Sequence, residues 1–401
     1  MCEFNLGSRS INYMSLRFLI LINILFLFCL NLRSQSVNLF DLEYVNGELF
    51  VNKKINLQGK KINIPKGGVL KFSKKGQFLN GTLVGNQSQI KGNIKSIFRN
   101  IRIEGTWNVH NISTKMFEKT DVYTLENLSN LSSNEVINNI YVEDDCIVPI
   151  PHFTSVFKIK SNTNVFLSAD IHSLVTKFKG GYALEIVGDN VLIDGNNHSI
   201  VGTIKLDKNN KYEWQHGIYI GRNSKNVQIR NIKLREFWGD GIYVMGEDIV
   251  ISNIESSFNG RQGLSLTHGK NIKILNSEFH HTGYIEVCSC KGPGAGIDIE
   301  PNKGDTVYNI YVENCKLYDN YKYMKQYVND FQVYNAKNSN IHVRSSEIGG
   351  IYLGTSDKII FEKCKIKDTV FGIDTKVKDV VIKKCTITNI SENINDSIEL
   401  L

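Results

Sequence analysis

The sequence predicts an all-β fold, a right-handed parallel β-helix in which one chain winds as a single-stranded solenoid. Three observations predict it. A unit that opens with glycine and an apolar–variable–apolar triplet recurs about every 20–24 residues. Each unit continues into a second run of alternating apolar residues, which is typical of a half-buried strand. Leucine-rich repeats share this period, but their Leu-x-x-Leu-x-Leu pattern and helical side do not recur in these units.

The composition indicates a large core and a mild basic excess. The chain has 401 residues, of which 41% are hydrophobic. Lys and Arg number 47 and Asp and Glu number 40, which gives a net charge of +7. This excess is spread along the chain, so it is compatible with an acidic polysaccharide partner and equally with an ordinary solvated surface. No Lys/Arg-rich run is interleaved with aromatic residues, so the sequence does not support nucleic-acid binding.

The N-terminal segment has the pattern of a secretory signal peptide. Phe18 to Leu30 is an almost purely apolar run of 13 residues that follows Arg17. That run is short for a membrane span and typical of a signal-peptide core. We therefore predict a signal peptide over residues 1–35, with Met14 as an alternative start. The mature protein is expected to be secreted, periplasmic or at the cell surface, with no membrane span.

The remaining chain divides by pattern into four segments. Residues 36–115 alternate apolar residues with Gly, Asn and Lys turns, which predicts N-terminal strands and the first coils. Residues 116–140 favour a partly helical insertion or cap. The parallel β-helix is predicted over residues 141–390, and residues 391–401 form a C-terminal tail. The sequence leaves a monomer and a homotrimer open.

The cysteines follow the repeat. Cys315, Cys364 and Cys385 stand at equivalent closing positions, where we expect them inside the coils as small apolar groups. Cys288 and Cys290 form a C-x-C whose redox state the sequence does not determine, and a bridge at that spacing is geometrically poor. The cysteine spacings do not match those of a zinc site, so no metal is predicted there.

The glycine-led coil repeat, which is clearest from about residue 184 to 390, resembles the pectate-lyase-like superfamily of right-handed parallel β-helix proteins. That superfamily includes polysaccharide lyases, polygalacturonase-type hydrolases, tailspike depolymerases and uronate epimerases. The resemblance implies the fold and a polysaccharide or oligosaccharide partner. The catalytic motifs of polygalacturonases, alginate epimerases and pectate lyases are not found here, so the resemblance transfers no catalytic set.

Aligning the repeat glycines predicts which side chains stack on successive coils. One outward column should contain Tyr219, Tyr243, Ser265, Asp298, Tyr334, Tyr352 and Asp374. A second column, two residues on, should contain Gly221, Met245, Thr267 and Glu300. The bend before the first column should carry His216, Asp240, Gln262 and Ala295, with Arg261 beside them. Asp240, Arg261, Asp298 and Glu300 should therefore lie within about 10 Å along the axis. We predict them as catalytic residues.

Aromatic and histidine side chains surround this predicted site. The interval from Gly263 to Gly296 is 33 residues, longer than the usual repeat, so a loop should overhang the acidic residues. Tyrosine rings in a row offer flat faces to sugar rings. The predicted substrate-binding residues are Tyr219, Tyr243, Tyr334, Tyr352, Trp238, His268 and His281, and Trp214 would extend the wall of the groove.

Three functions remain open from the sequence. Asp298 and Glu300 are two residues apart on one strand, which separates their side chains by about 6.5–7 Å, near the spacing of inverting glycosidases. One of them would protonate the leaving oxygen, while the other, or Asp240, would activate water. Alternatively, Asp240, Asp298 and Glu300 would hold Ca²⁺ in a polysaccharide lyase. The third alternative is a non-catalytic carbohydrate-binding protein. The leading expectation is a hydrolase without a cofactor.

Overall fold

The computed structural model describes residues 43–45, 48–118, 123–174, 180–204, 214–283, 294–320, 330–369, 377–390 and 398–401. The predicted signal peptide, Cys288, Cys290, Asp374 and most of the predicted tail lie outside these residues. Tyr44–Leu401 form one compact unit.

Short strands with alternating apolar residues open this unit. They are β1 (Glu43–Val45), β2 (Glu48–Val51), β3 (Lys54–Asn56), β4 (Lys61–Asn63), β5 (Val69–Phe72), β6 (Gln77–Gly92) and β7 (Phe98–Trp107). Strand β6 pairs in parallel with β3, β4, β5 and β7. The ring of Phe72 lies 5.8 Å from that of Phe78 and 5.7 Å from that of Phe98, so aromatic packing fills this first core.

A short helix covers the edge of β7. A 3-10 helix over Thr114–Met116 precedes α1, which spans Thr124–Leu131. Asn127 of α1 accepts a hydrogen bond from the backbone N–H of Ile103 at 2.8 Å and donates to the carbonyl of Ile101 at 2.7 Å. The helix side chain thus satisfies backbone groups of β7 that would otherwise form an open sheet edge.

The 27 remaining described strands form the long part of the solenoid. The first are β8 (Asn111–Ser113), β9 (Asn138–Val142), β10 (Cys146–Pro149), β11 (Lys158–Ile159), β12 (Thr163–Leu167), β13 (Ile171–Leu174), β14 (Gly180–Ile186), β15 (Val191–Asp194) and β16 (Ser199–Val201). Next are β17 (Trp214–Ile220), β18 (Lys225–Arg235), β19 (Ile242–Val244), β20 (Glu247–Ser257), β21 (Leu264–Leu266), β22 (Gly269–Leu275), β23 (Glu278–His280), β24 (Ile297–Ile299) and β25 (Val307–Glu313). The last are β26 (Lys316–Tyr318), β27 (Phe331–Val333), β28 (Ile341–Arg344), β29 (Glu347–Leu353), β30 (Asp357–Glu362), β31 (Lys365–Thr369), β32 (Lys378–Lys383), β33 (Thr386–Ile390) and β34 (Ile398–Leu400).

Each strand pairs in parallel with its counterparts one coil before and one coil after. The ladder through β17, β19, β21, β24, β27 and β29 shows this pattern. Its inward positions stack in register and are fully buried: Ile218, Ile242, Leu264, Ile297, Phe331 and Ile351. This apolar column confirms the predicted parallel β-helix.

Asparagines turn the chain at the corners of the coils. Asn162, Asn190 and Asn226 stand on successive coils with φ of 57°, 56° and 53°, a region that asparagine tolerates better than most residues. The amide of Asn226 donates to that of Asn190 at 2.8 Å, and Asn190 donates to Asn162 at 3.1 Å. Hydrogen bonds between these side-chain amides therefore link the corners of successive coils.

Buried cysteines and serines line another corner. Cys315 and Cys364 are both 1% exposed, as expected for small apolar groups, and Cys385 is half-buried. The hydroxyl of Ser346 accepts a hydrogen bond from the backbone N–H of Cys315 at 3.1 Å. In the residues that the structure describes, no helix is both long and apolar enough to cross a membrane.

Candidate active site

The observed register corrects the predicted outward column at one position. Tyr219, Tyr243, Ser265 and Asp298 stack in that order, and the next residues are Gln332 and Tyr352. Tyr334 was placed in this column wrongly. Its N–H donates to the carbonyl of Ile299, which aligns Tyr334 with Glu300 in the second column. In the coil that contains Phe331, the residue before it is Asp330, whereas the other coils have glycine at this position. Alignment by glycine therefore misplaced this coil.

Asp298 is a buried carboxyl group on the outer face of β24. Ile297 and Ile299 point into the core, so the alternation of the strand turns Asp298 away from it. Asp298 is nevertheless only 4% exposed. The side-chain amide of Gln262 donates to its Oδ2 at 3.1 Å, and that of Gln332 donates to its Oδ1 at 3.0 Å. Burial, with the carboxylates of Glu300 and Asp240 nearby, raises the pKa of Asp298 to about 8.

Asp240 has the opposite electrostatic character. Its carboxylate is completely buried and accepts hydrogen bonds from the backbone N–H of Gln262 at 3.1 Å and the hydroxyl of Ser265 at 3.0 Å. Burial alone would raise the pKa of Asp240, but the Arg261 guanidinium, His216 and the Gln262 N–H together hold it below its ordinary value. Asp240 is therefore an ionised carboxylate without exposed surface for a substrate.

His216 supports Asp240 from the preceding coil. Nδ1 of His216 lies 2.9 Å from the backbone N of Asp240 and 3.2 Å from its Oδ2. Both contacts place the His216 ring against the Asp240 carboxylate. The His216 ring lies 4.9 Å from that of Tyr243, and this packing fixes its orientation.

Glu300 is the accessible member of the acidic group. It follows Asp298 by two residues and is half-buried, and its backbone N–H donates to the carbonyl of Leu266. Burial raises the pKa of Glu300, and Arg261 partly opposes this shift. Within the described ranges no side chain donates a hydrogen bond to its carboxylate.

Arg261 is the cation of the site. Its guanidinium lies 4.7 Å from the centre of the Trp214 ring, and its Nε lies 3.9 Å from Oδ1 of Asp240. Its Nη1 is buried and has no hydrogen-bond partner among the described residues. The same holds for Oε1 of Gln262. The site therefore presents one buried donor and one buried acceptor beside the carboxyl groups.

The four predicted catalytic residues thus meet in one place but differ in state. Asp298 is a buried acid that keeps its proton at neutral pH, and Asp240 is a buried carboxylate that has lost it. Glu300 is the carboxyl group open to solvent. A pair of carboxyl groups whose environments separate their protonation states can act as general acid and general base.

The tyrosines are arranged differently from the prediction. Tyr219 is stacked between Tyr182 at 4.2 Å and Tyr243 at 5.8 Å, so both of its faces are covered by other tyrosines. Tyr334 and Tyr352 stack on each other at 6.4 Å. The expectation of an open ring face is therefore wrong for Tyr219. Stacking along the axis turns one of its faces toward Tyr182 and the other toward Tyr243.

The two tryptophans occupy different environments. Trp238 is only 1% exposed, so it belongs to the core, and its predicted place in the wall of the groove is wrong. Trp214 is 41% exposed and carries Arg261 on its ring. Trp214 thus combines an accessible edge with a contact to the site.

The two predicted histidines contact other groups. Nδ1 of His268 lies 3.5 Å from Asp305, and Asp305 forms a bidentate ion pair with Arg222 at 2.6 and 2.7 Å. His281 contacts His280 through their Nδ1 atoms at 2.7 Å. The structure shows no contact of either predicted histidine with Asp298 or Asp240.

Sequence reasoning did not assign roles to the polar residues that hold the acids. Gln262, Ser265 and His216 were placed in the stacked columns, while Gln332 was missed. The triplet Phe331-Gln332-Val333 has the apolar–variable–apolar pattern of the repeat, so it could have been found without requiring glycine.

The alternative Ca²⁺ site of Asp240, Asp298 and Glu300 stays a prediction. Both oxygens of Asp298 accept from amide groups, and both oxygens of Asp240 accept from Gln262 and Ser265. A cation bound there would share these oxygens with the hydrogen-bond donors that already reach them. Within the part of the chain that the structure describes, no group of three or more His, Cys, Asp or Glu side chains is arranged to hold a metal ion.

The family comparison agrees with the coil register. Residues 145–341 match the family model for the right handed beta helix region. This match covers just under half of the chain, and the described strands of the same region form the parallel β-helix. No curated protein gives a significant sequence match.

Solved structures similar to this chain include a tailspike protein, a glucanase and a hydrolase. Tailspike protein 2 of an Escherichia coli O157:H7 bacteriophage is 13% identical over 71% of this chain and 47% of its own, with a TM-score of 0.42. The catalytic unit of an α-1,3-glucanase from Streptomyces thermodiastaticus is 11% identical over 88% and 64%, with a TM-score of 0.43. An endo-xylogalacturonan hydrolase from Aspergillus tubingensis is 10% identical over 85% and 83%, with a TM-score of 0.30. This chain spans about half the length of the tailspike chain.

Proposed function

We propose that the protein is a secreted glycoside hydrolase that cleaves a polysaccharide, with Asp298 as general acid and Glu300 as general base. The observation that carries the proposal is the contrast between two neighbouring carboxyl groups, Asp298 on β24 and Glu300 directly after this strand. The pKa of buried Asp298 is raised to about 8, while Glu300 two residues away is half-buried and open to solvent. The polysaccharide is the substrate class that the resemblance of the coil repeat to the pectate-lyase-like superfamily implies, and secretion is inferred from the N-terminal apolar run.

Asp298 is suited to protonate the leaving oxygen. Its two oxygens accept from Gln262 and Gln332, so the surrounding side chains hold the group in place without accepting its proton. The O–H of the protonated acid is then free to donate to a substrate oxygen. A general acid is most effective when its pKa lies near the working pH, and the pKa of Asp298 meets this condition.

Glu300 is suited to activate water. With Asp298 neutral, we assign the base to Glu300; burial raises its pKa, and Arg261 opposes this shift by favouring its charged form. Side chains two residues apart on a strand are about 6.5–7 Å apart, which leaves room for a water between acid and base. We therefore propose hydrolysis with inversion at the anomeric carbon.

Asp240 and Arg261 are proposed to position the acid pair. Asp240 accepts from Ser265 and Gln262, and Gln262 in turn donates to Asp298. Among the described residues, Arg261 supplies the positive charge close to these carboxyl groups, and its Nε lies 3.9 Å from Oδ1 of Asp240. Because Asp240 already balances this charge, we propose a neutral sugar as the substrate.

A panel of neutral and acidic polysaccharides, assayed for new reducing ends and for unsaturated uronates, tests this proposal. We expect reducing ends without ultraviolet-absorbing unsaturated products. Asp298→Asn should lower turnover by roughly 10²–10⁴-fold. Glu185→Gln is the matched control, because Glu185 stands in the same outward column four coils earlier, about 19 Å away. Unsaturated products, or an Asp298→Asn variant with unchanged turnover, would contradict the proposal.

A further inference from the structure

A second cleft lies on a different ladder of parallel strands from the one that carries Asp298. It encloses about 430 Å³ beside Tyr318, Gly349 and Lys367, within the size range of small-molecule sites. β23, β26, β29 and β31 form its wall, whereas Asp298 stands on β24. None of the residues to which the proposed hydrolysis assigns a role lines this cleft.

Among the described residues, one wall of the cleft is an aromatic face. His280 pairs with Tyr318 in register, and their rings stack at 5.0 Å with an angle of 11°. Leu317 pairs with Ile348, so continuing the register by one residue places Gly349 after Tyr318. The stack runs along the solenoid axis. Its last ring, Tyr318, therefore turns its second face toward a coil position that has no side chain.

The gap beyond Tyr318 has the thickness of one flat ring. The next side chain in this column is that of Lys367, two coils from Tyr318 or about 9.6 Å along the axis. A ring in van der Waals contact on both faces occupies about 7–8 Å. A Cβ on Gly349 would lie 2.1 Å from Oδ2 of Asp330, so the buried carboxyl group excludes a side chain at this position.

The rim of the cleft carries both donors and acceptors. Lys316 pairs with Glu278 at 3.1 Å, and Lys365 pairs with Glu347 at 2.9 Å. Lys367 is exposed and forms no ion pair within the described ranges. An aromatic face with alternating ammonium and carboxylate groups around it matches a ring that is apolar on its C–H face and hydroxylated at its edge. A pyranose has both properties.

We propose that this cleft is a non-catalytic saccharide-binding site, in which one pyranose ring stacks on Tyr318 above Gly349 and hydrogen-bonds to the rim. Its ligand class is the sugar polymer of the proposed hydrolysis. The site would hold the polymer on the protein while the acid pair acts elsewhere on it. Binding here does not require Asp298 to be a catalyst.

Affinity electrophoresis through gels that contain mixed-linkage β-glucan, galactomannan, xylan or polygalacturonate tests the proposal. The Asp298→Asn variant is used as background, because it leaves the polymer intact. At least one polymer should retard this protein, and adding Tyr318→Ala should weaken the retardation about tenfold. Tyr318→Phe should restore it, since it keeps the stacking face. Tyr308→Ala is the matched control, because Tyr308 is an exposed tyrosine outside the cleft.

The outcomes separate this site from the hydrolase proposal. Tyr318→Ala should leave cleavage of short soluble oligosaccharides unchanged and retain the melting temperature of Tyr318→Phe. Equal retardation of Tyr318→Ala and its background would overturn the binding site, as would no retardation by any of the four polymers. Either result leaves the test of Asp298 as acid unaffected.

Discussion

Gln262 donates its side-chain amide to Oδ2 of Asp298 at 3.1 Å, while its backbone N–H donates to Oδ1 of Asp240 at 3.1 Å. One residue thus connects two carboxyl groups that are shifted in opposite directions. Burial, Glu300 and Asp240 raise the pKa of Asp298 to about 8. Despite burial, Arg261, His216 and Gln262 hold the pKa of Asp240 below its ordinary value. The carboxylate of Asp240 helps to keep the proton on Asp298.

The dependence of activity on pH should have its alkaline limit near pH 8. The acid must be protonated, and Asp298 loses its proton as the pH rises through about 8. On the acidic side, activity should fall as Glu300, whose pKa is raised by burial, gains a proton. Initial rates of reducing-end formation between pH 4 and pH 10 measure both limits. An alkaline limit that is unchanged in Asp298→Asn would assign it to another group.

Replacing Glu300 by Gln should change both the rate and the alkaline limit. Turnover should fall by roughly 10²–10⁴-fold, because the base that activates water is lost. The alkaline limit of the remaining activity should lie at a lower pH than that of the native protein. The Glu300 carboxylate is one of the groups that raise the pKa of Asp298, so its removal lowers this pKa. A residual activity with the same alkaline limit as the native protein would show that Glu300 does not act on Asp298.

Asp298→Asn should stabilise the protein, and increasingly so as the pH rises. The folded protein keeps a proton on Asp298 up to about pH 8, whereas an unfolded chain loses it near pH 4. The folded state therefore binds more protons in this window, and the native free energy of unfolding falls as the pH rises through it. The gain from Asn should grow between pH 4 and pH 8 to the order of a few kcal/mol. Thermal melts of both proteins across this range measure this gain. A difference in stability that does not change with pH would contradict a buried, protonated Asp298.

The two tryptophans should respond to mutation in opposite ways. Trp238 is fully buried, so Trp238→Ala should lower the free energy of unfolding by about 3–5 kcal/mol. Trp214 is 41% exposed and stacks on Arg261, so Trp214→Ala should cost less stability and raise KM. Thermal melts and steady-state kinetics on the same preparations separate the effects. Equal losses of stability in the two variants would contradict these environments.

The sequence predicted the fold because the coil pattern is local and repeats. Glycine and the apolar–variable–apolar triplet recur, so the inward column through Ile218, Ile242 and Ile297 could be predicted from spacing alone. The same reasoning placed Asp240, Arg261, Asp298 and Glu300 together. It failed where a coil lacks its glycine. Tyr334 was therefore assigned to the column position that Gln332 occupies.

Burial and ring orientation could not be obtained from spacing. Trp214 and Trp238 both lie near bends, yet Trp214 is 41% exposed and Trp238 is 1% exposed. Tyr219 stands outward as predicted, but the rings of Tyr182 and Tyr243 cover its faces. The opposite protonation states of Asp240 and Asp298 depend on which amides and charges reach each carboxyl group, and these contacts come from different coils.

The most direct test of Asp298 as the general acid compares two substrates in Asp298→Asn. One is the polysaccharide that the native protein cleaves, and the other is a dinitrophenyl glycoside of the same sugar, whose leaving group departs without protonation. We predict that cleavage of the polysaccharide falls by roughly 10²–10⁴-fold, while cleavage of the dinitrophenyl glycoside falls far less. An equal loss on both substrates, or no loss on either, would contradict the assignment of Asp298 as the acid.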